Sequence, residues 1–329
     1  MITLSLHFKH LSIESQHAMT NTASNPFLGR GMAPEIKNSE EDVKKITNHE
    51  YAKMVNSGNS AIMVAINSIK GPILLPDQGG WSGVKKIADI LNTQTHHIPT
   101  EKGVIYPDLL EEYLTKVSFK PSAIFITSFA GYTAEQPVKD LYDICNDHDI
   151  LLVEDASGSV GDSEKKLCNG NHAHMILAST GSPKIVNVGN GGFISTNKKE
   201  ILDKSAFLLK MLRADAVTCA GISEELKHAP RNLIKTINAC NYLKNKIPSI
   251  IHKEKRGINV ILPSSNPKTH SKILREKIKV DGRSIITTCP LYDRVMENAI
   301  CIEIKNLDTS SLTQDNLSQI KEDVTTTLF

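Results

Sequence analysis

Ile150-Leu151-Leu152-Val153-Glu154-Asp155 and Ser179-Thr180-Gly181-Ser182-Pro183-Lys184, the latter followed by Gly189-Asn190-Gly191-Gly192, decide the fold. The first is an uninterrupted apolar run closed by two carboxylates. Continuous rather than alternating apolar residues predict a strand covered on both faces, as in a parallel sheet. The second follows another short apolar run, Met175 to Ala178. Its serines, glycine and proline predict a turn that presents a lysine at the edge of that sheet.

Outward from these runs, strands and helices alternate. Ile73-Leu74-Leu75, His96-His97-Ile98, Ala123 to Thr127 and Gly192 to Thr196 read as strands. Val84 to Leu91, Asp108 to Leu114 and Val138 to Asn146 read as helices, with Pro107 suited to a first helical position. Ala61 to Ile66 is apolar all round and predicts a buried helix. Ser39 is expected to cap an earlier helix carrying Val43, Ile46 and Met54 on one face. Lys198 to Arg213 and Ser223 to Asn245 read as two long helices. Gly257 to Leu262, Ser284 to Thr288 and Ala299 to Ile304 follow as strands, Thr269 to Ile278 as a helix, and the polar end from Asp308 as another. These elements predict an α/β fold, with a mainly parallel central sheet sandwiched by helices and a small C-terminal α+β domain. The expected division is an irregular N-terminal arm at 1–38, holding Asn25-Pro26 and Gly29-Arg30-Gly31, a large domain at 39–246 and a small one at 247–329.

Bulk properties narrow the function. A chain of 329 residues is long enough for a large core and a smaller unit. A net charge of +2, with both signs interspersed, leaves no footprint for nucleic acid or a membrane surface. No apolar run approaches the ~20 residues of a spanning helix. The first thirty residues are too polar for a secretory signal, so a cytoplasmic protein is expected. The six cysteines form no CxxC pair, which predicts reduced, structural thiols and no zinc site.

Four features carry candidate chemistry. Ser57-Gly58-Asn59-Ser60 precedes the buried helix, and free amides with the dipole at a helix start favour a phosphate. Trp81, the only tryptophan, lies in a loop after a strand, where its indole can stack on an aromatic cofactor. Asp155 closes a strand, and ligands of open α/β sheets gather at carboxyl ends of strands. Lys184, in a pocket of low dielectric near cationic groups, is expected to have a lowered pKa and to act as a nucleophile. A carboxylate can keep a pyridine nitrogen protonated while a lysine amine forms an imine with the ring's aldehyde, the pair that pyridoxal phosphate requires. Each feature alone has an ordinary alternative: a helix cap, a core tryptophan, a capping carboxylate, a solvated lysine. The last fits poorly between Ser182-Pro183 and an apolar, glycine-rich continuation.

Secondary candidates are Tyr132, after a strand end, and Arg294, which can take a substrate carboxylate bidentately or form a surface salt bridge. His96 and His97 point to opposite faces of one strand, so neither is expected to bind a metal. Cys289 is either a persulfide carrier or a buried structural thiol.

From about residue 50 to 200 the chain resembles fold-type-I pyridoxal-phosphate enzymes, in particular the DegT-like sugar aminotransferases. The resemblance implies that Ser57-Gly58-Asn59 and Ser179 hold the cofactor phosphate and that Asp155, in Glu154-Asp155-Ala156, pairs with the pyridine nitrogen. It implies that Lys184 forms the internal imine and acts as general base. Gly189-Asn190-Gly191-Gly192 matches the family's glycine run. Gly158 stands where the family commonly has a glutamine, Gly181 where a bulky residue is usual, and Asn190 where an acidic one is. The C-terminal part shows no match to the family's substrate side. The resemblance implies an aminotransferase with an amino-acid donor and a keto acid or keto sugar as acceptor, working as a homodimer. A carbon–sulfur or selenium lyase, a synthase, or a degenerate relative would use the same residues.

Overall fold

The computed structural model describes residues 5–25, 33–291 and 294–329. Its elements begin with α1 (Ile13–Ala23), α2 (Pro34–Thr47), β1 (Tyr51–Val55), α3 (Gly58–Ser68), β2 (Ile73–Pro76), α4 (Gly83–Ile90), β3 (Thr95–Ile98) and α5 (Pro107–Lys116). There follow β4 (Ala123–Thr127), the short β5 (Phe129–Ala130) and β6 (Ala134–Glu135), α6 (Val138–Asp147), β7 (Leu151–Asp155), β8 (Met175–Ser179) and β9 (Gly192–Thr196). The chain continues through α7 (Lys199–Lys204), α8 (Ala206–Met211) and α9 (Ala216–Lys246). It closes with β10 (Val260–Pro263), α10 (Pro267–Lys277), β11 (Ile286–Cys289), β12 (Ala299–Ile302) and α11 (Gln314–Leu328).

The main sheet has the order β1-β9-β8-β7-β4-β2-β3. β3, β2, β4, β7 and β8 run parallel, β9 is antiparallel to β8, and β1 is antiparallel to β9. The expectation of a mainly parallel sheet covered on both faces holds. Ile124, Ile126, Leu152 and Ile176 enter one apolar layer, while Phe125, Val153, Met175 and Leu177 enter the other with Ile62 and Ile66 of α3. Opposite side chains of each central strand thus meet a different helix layer, which is why these runs do not alternate in hydropathy.

Several local expectations give way. The helix expected from Ser39 starts at Pro34 and stops at Thr47, where Asn48 turns left-handed at φ 56°. Met54 therefore belongs to β1, a five-residue strand at the sheet edge that helical spacing had concealed. The helix expected over 198–213 breaks at Ser205, whose Oγ donates to the Val64 carbonyl at 3.0 Å and accepts from Asn67 Nδ2 at 3.0 Å. The N-terminal arm is not irregular throughout: α1 packs with α2 against α9. Its contact is largely polar, with Ser12 capping the helix and Ser15 Oγ donating to Glu225 Oε1 at 2.8 Å and to the Gly221 carbonyl. An apolar stripe was therefore not there to find. The signals at Pro26 and Gly29-Arg30-Gly31 lie outside the described residues.

β10, β12 and β11 form a separate antiparallel sheet whose core includes Leu274, Ile300 and Ile320. Leu6 joins that core, Phe8 bridges to Leu307, and Lys9 N donates to the Asn306 carbonyl at 2.9 Å. Lys244 of α9 is fully buried, and its Nζ donates to the carbonyls of Thr133 (2.6 Å), His252 (3.1 Å) and Lys255 (2.7 Å). Three loops thus hang on one ammonium. Lys244→Met is expected to lower unfolding free energy by roughly 3 kcal/mol, since each buried carbonyl left unpaired costs ~1–3 kcal/mol. Urea unfolding measures this; a loss below ~1 kcal/mol would show that the carbonyls find other donors.

Candidate functional site

β1 is parallel to β8 through their common antiparallel neighbour, and Val55 and Ser179 both pair with Gly192. The carboxyl ends of β1, β2, β4, β7 and β8 therefore share one edge, where α3 also starts. Ser57 caps α3, its Oγ accepting from Ser60 N at 3.1 Å. A Cβ on Gly58 would stand 2.6 Å from Ser179 Cβ, and one on Gly192 would stand 2.5 Å from the Ala178 carbonyl oxygen. Only glycine lets the helix start lie so close to the strand ends. Ser57, Gly58, Asn59 and Ser179 then line one wall of a cavity of about 260 Å³ whose other walls include Trp81, Tyr132, Asp155 and Lys184.

Alternation along β7 sends its two terminal carboxylates to opposite sides. Glu154 is fully buried, accepting from Ser128 Oγ at 2.6 Å and from Cys168 N at 3.0 and 3.1 Å, and burial pushes its pKa up to about 7. Asp155 faces the cavity. Its Oδ1 accepts from Ser157 N at 3.0 Å and Ser157 Oγ at 2.5 Å, and that hydroxyl accepts from Ser179 N at 2.8 Å. Ser157 therefore fixes the carboxylate relative to the wall where the helix begins.

Lys184 Nζ donates to Tyr132 Oη at 2.7 Å, and the Lys184 carbonyl accepts from Lys9 Nζ at 3.1 Å. The expected lowering of its pKa is not found. Burial pulls it down, but the Tyr132 hydroxyl and the Asp155 carboxylate outweigh burial and hold it above the ordinary lysine value. The nearby cation Arg294 has the smallest influence of these groups.

Tyr132 occupies a strained turn between β5 and β6, with φ 55° at Gly131 and 63° at Tyr132 itself. A bulky side chain keeps that conformation only where its surroundings over-determine it. Here the Tyr132 carbonyl accepts from Ile258 N and Asn259 N, both at 2.9 Å. A Cβ on Gly158 would lie 3.4 Å from two Tyr132 ring carbons and 2.8 Å from Ile258 Cδ1. The glycine at 158 thus leaves room chiefly for the Ile258 side chain, with the Tyr132 ring in ordinary contact beside it. Trp81 lies at the cavity mouth, 37% exposed, with its Nε1 donating to Asn59 Oδ1 at 3.0 Å.

Beyond Lys184 lies a second cavity of about 230 Å³, which shares Trp81, Tyr132, Ser182 and Lys184 with the first and is also lined by Arg294 and Lys305. Arg294 is not on the surface: it is 8% exposed and ion-paired with Glu303. Lys305, 4% exposed, donates to Glu303 Oε2 at 3.2 Å and Asn306 Oδ1 at 2.8 Å. Neither Glu303 nor Lys305 was singled out from sequence. The available signal was only two opposite charges two residues apart around an apolar Ile304; Lys305 lies in the short 3-10 turn Ile304–Asn306, past the end of β12.

Burial alone would raise the Glu303 pKa, but Lys305 and Arg294 bring it from 4.5 down to about 2. A depressed carboxyl contributes stability that is fully present above pH 4.5 and is lost as pH falls from 4.5 towards 2. Glu303→Gln is therefore expected to flatten the acid limb of the stability–pH curve over that window. At neutral pH it should lower stability by roughly 3–5 kcal/mol by removing the carboxylate that two buried cations share. Equilibrium unfolding across pH checks both; equal slopes for the two proteins would refute the linkage.

Among the described residues no group of three or more histidine, cysteine or acidic side chains converges as a metal site, and His96 stacks on Phe119 at 3.9 Å. Burial pushes the Cys289 thiol up to about 11, so it is protonated at neutral pH and a poor persulfide carrier. No described helix is long and apolar enough to cross a membrane.

A lysine, an anchored carboxylate and a helix start on one cavity at the carboxyl edge of this sheet define the class of fold-type-I transferases. Within that class, the chain belongs to the DegT/DnrJ/EryC1/StrS aminotransferase family, whose family model matches residues 11–219. A second model, the MJ1341 family C-terminal domain, matches residues 230–325. The chain is 25% identical over 215 residues to a UDP-4-amino-4,6-dideoxy-N-acetyl-beta-L-altrosamine transaminase of Campylobacter jejuni, covering 64% of this chain and 55% of that protein. It spans about half the length of the curated relatives it matches. Among solved structures, PseC of Helicobacter pylori, an aminotransferase of pseudoaminic acid biosynthesis, superposes with a TM-score of 0.78 at 16% identity, covering 99% of both chains. The aminotransferase TlmJ of Streptoalloteichus hindustanus gives 0.79 at 14% identity, covering 98% of both. At such identities the structural likeness establishes the fold.

Proposed function

We propose that the chain is a pyridoxal-phosphate-dependent aminotransferase that moves an amino group from an amino-acid donor to a keto acceptor. One observation carries the reading: Lys184, Asp155, Ser179 and the start of α3 open on the same cavity. The residues present fit the cofactor. Ser57, Gly58, Asn59 and Ser179 would hold its phosphate, Asp155 its pyridine nitrogen, Trp81 its ring face and Lys184 its aldehyde. Solved neighbours with the same fold in pyridoxal- and pyridoxamine-phosphate forms support the choice of group.

When bound, the cofactor supplies an electron sink for the bond broken at the substrate's α-carbon. Lys184 Nζ moves the proton at that carbon and therefore has to give up its own first. Tyr132 Oη, at 2.7 Å, shares that proton and orients the amine. Asp155, locked by Ser157, keeps negative charge against the ring nitrogen. Tyr132 and Arg294 are the substrate-side residues of this reading.

The sugar transaminase among the relatives supports a keto sugar as acceptor. We also read the protein as a cytoplasmic homodimer. Phe207 and Met211, one turn apart on α8 and both largely exposed, offer apolar surface for a second copy. A division near residue 247, after α9, is supported by the separate C-terminal sheet and the change of family model between 219 and 230.

Purified protein mixed with pyridoxal phosphate should develop a visible absorption band and, after borohydride, carry the cofactor covalently. Glutamate should then discharge the band and release 2-oxoglutarate. Release of pyruvate or sulfide from cysteine, with glutamate inert, would replace transamination by a lyase.

A further inference from the structure

We propose that Lys9 is a positioning residue for the reaction at Lys184: its ammonium, delivered by the N-terminal segment, fixes the main chain from which the reactive amine projects. Its effect on turnover rests on the aminotransferase reading above. Lys9 Nζ donates to the Lys184 carbonyl at 3.1 Å, across 175 positions of sequence. That carbonyl carbon is bonded to the Cα that carries the reactive side chain, so holding it removes a rotation at the root of a flexible stem.

The turn has little else to hold its main chain. Among the described residues, 182–187 make no hydrogen bond between main-chain groups; the flanking ones run from Thr180 N to the Gly191 carbonyl at 3.0 Å and from Val188 N to the Thr180 carbonyl at 2.9 Å. Ile185 and Val186 are buried and anchor the segment by packing. Packing tolerates a small rotation of a peptide plane, whereas a hydrogen bond weakens steeply with angle. Lys184 Nζ reaches Tyr132 Oη at 2.7 Å, a contact that a small swing of the turn would break. A displacement of about 1 Å at a reacting group can lower turnover ~10²-fold.

Lys9 is itself tied down on both sides. His7 N donates to Ser311 Oγ at 2.9 Å, Phe8 N to Asp281 Oδ2 at 2.8 Å and Lys9 N to the Asn306 carbonyl at 2.9 Å. Beyond it, Ser12 N and Ser15 Oγ both donate to Glu225 Oε1 of α9 at 2.8 Å. Burial lowers the Lys9 pKa to about 8, with Asp308 and Glu225 opposing, so the group is an ammonium at neutral pH. The leading influences on the Lys184 amine are burial, Tyr132 and Asp155. Lys9 therefore acts on the reactive group through the main chain rather than through its charge. The N-terminal segment, α9 and the residues after β12 meet at one ammonium aimed at the catalytic turn.

The test is hydrogen exchange on the cofactor-free protein together with steady-state kinetics on the loaded enzyme. In Lys9→Met the Val188 amide should exchange roughly 10- to 100-fold faster, as loss of a charge-assisted hydrogen bond allows, while amides of β4 and β7 keep wild-type protection. Turnover should fall roughly 10- to 100-fold with the donor KM within about threefold of wild type. Lys9→Arg, which keeps a charged donor, should stay within about threefold of wild type in both readouts. Lys9→Gln, neutral and shorter, replaces Lys9→Met if the latter does not fold. Unchanged exchange at Val188, faster exchange spread over the whole sheet, turnover within about threefold of wild type, or a Lys9→Arg variant as impaired as Lys9→Met would each overturn the positioning role. Failure of the wild type to take up cofactor on Lys184 would instead remove the aminotransferase reading, and hydrogen exchange would still decide whether Lys9 braces the turn.

Discussion

Lys184→Ala is expected to abolish covalent attachment of pyridoxal phosphate and to lower turnover by roughly 10³- to 10⁴-fold, the upper part of what a positioned general acid–base residue contributes. The variant should fold, because Lys184 Nζ makes its hydrogen bond only to Tyr132 Oη, at the cavity edge, and its removal orphans no fully buried group. Mass spectrometry after borohydride is the decisive readout: the wild-type peptide containing residue 184 gains the reduced cofactor, and the variant protein gains none at any position. Labelling of another lysine in the variant, with activity retained, would refute the assignment. Lys305 and Lys9 are the informative alternatives, since each lies close to Lys184 or its turn.

Asp155→Asn is the second large effect, expected to reduce kcat by roughly 10²- to 10³-fold, comparable to removing one preorganised electrostatic group from an active site. The amide is nearly isosteric, and its oxygen can still accept from Ser157 N and Oγ, so thermal stability should change by less than about 1 kcal/mol. The cofactor should still attach to Lys184, which separates the two variants: one loses the bond, the other loses the charge that supports chemistry after the bond forms. Turnover within threefold of wild type would show that Asp155 does not face a ring nitrogen.

Much of this is legible in the sequence. The apolar runs of β4, β7 and β8, the turn carrying Lys184 and the helix start at Gly58 follow local rules that long-range packing merely completes. What was not readable depended on contacts between distant segments. Tyr132 reaches Lys184 from a turn whose carbonyl is held by Ile258 N and Asn259 N, a long-range arrangement with no periodic trace. Gly158 looked like a missing cofactor contact; in space it leaves room for the Ile258 side chain, beside the Tyr132 ring. Arg294 allowed a surface salt bridge as one of two readings and Lys305 drew none, because burial of an ion pair depends on what folds over it. The Lys184 amine was expected to be acidified by its pocket, and the outcome reversed because a tyrosine hydroxyl and a carboxylate outweigh burial and the influence of Arg294.

The short pairing of residues 6–9 with residues 306–308 sets an order of events. The contact joins segments far apart in sequence, 304 positions between His7 and Ser311, and so closes a long loop. Lys9, which holds the carbonyl of Lys184, is drawn into place by that closure. The parallel sheet and α3 can assemble before that closure, but the turn that presents the reactive amine is braced only afterwards. The chain would thus pass through most of its folding with its most reactive group unsecured, and cofactor loading would follow that closure.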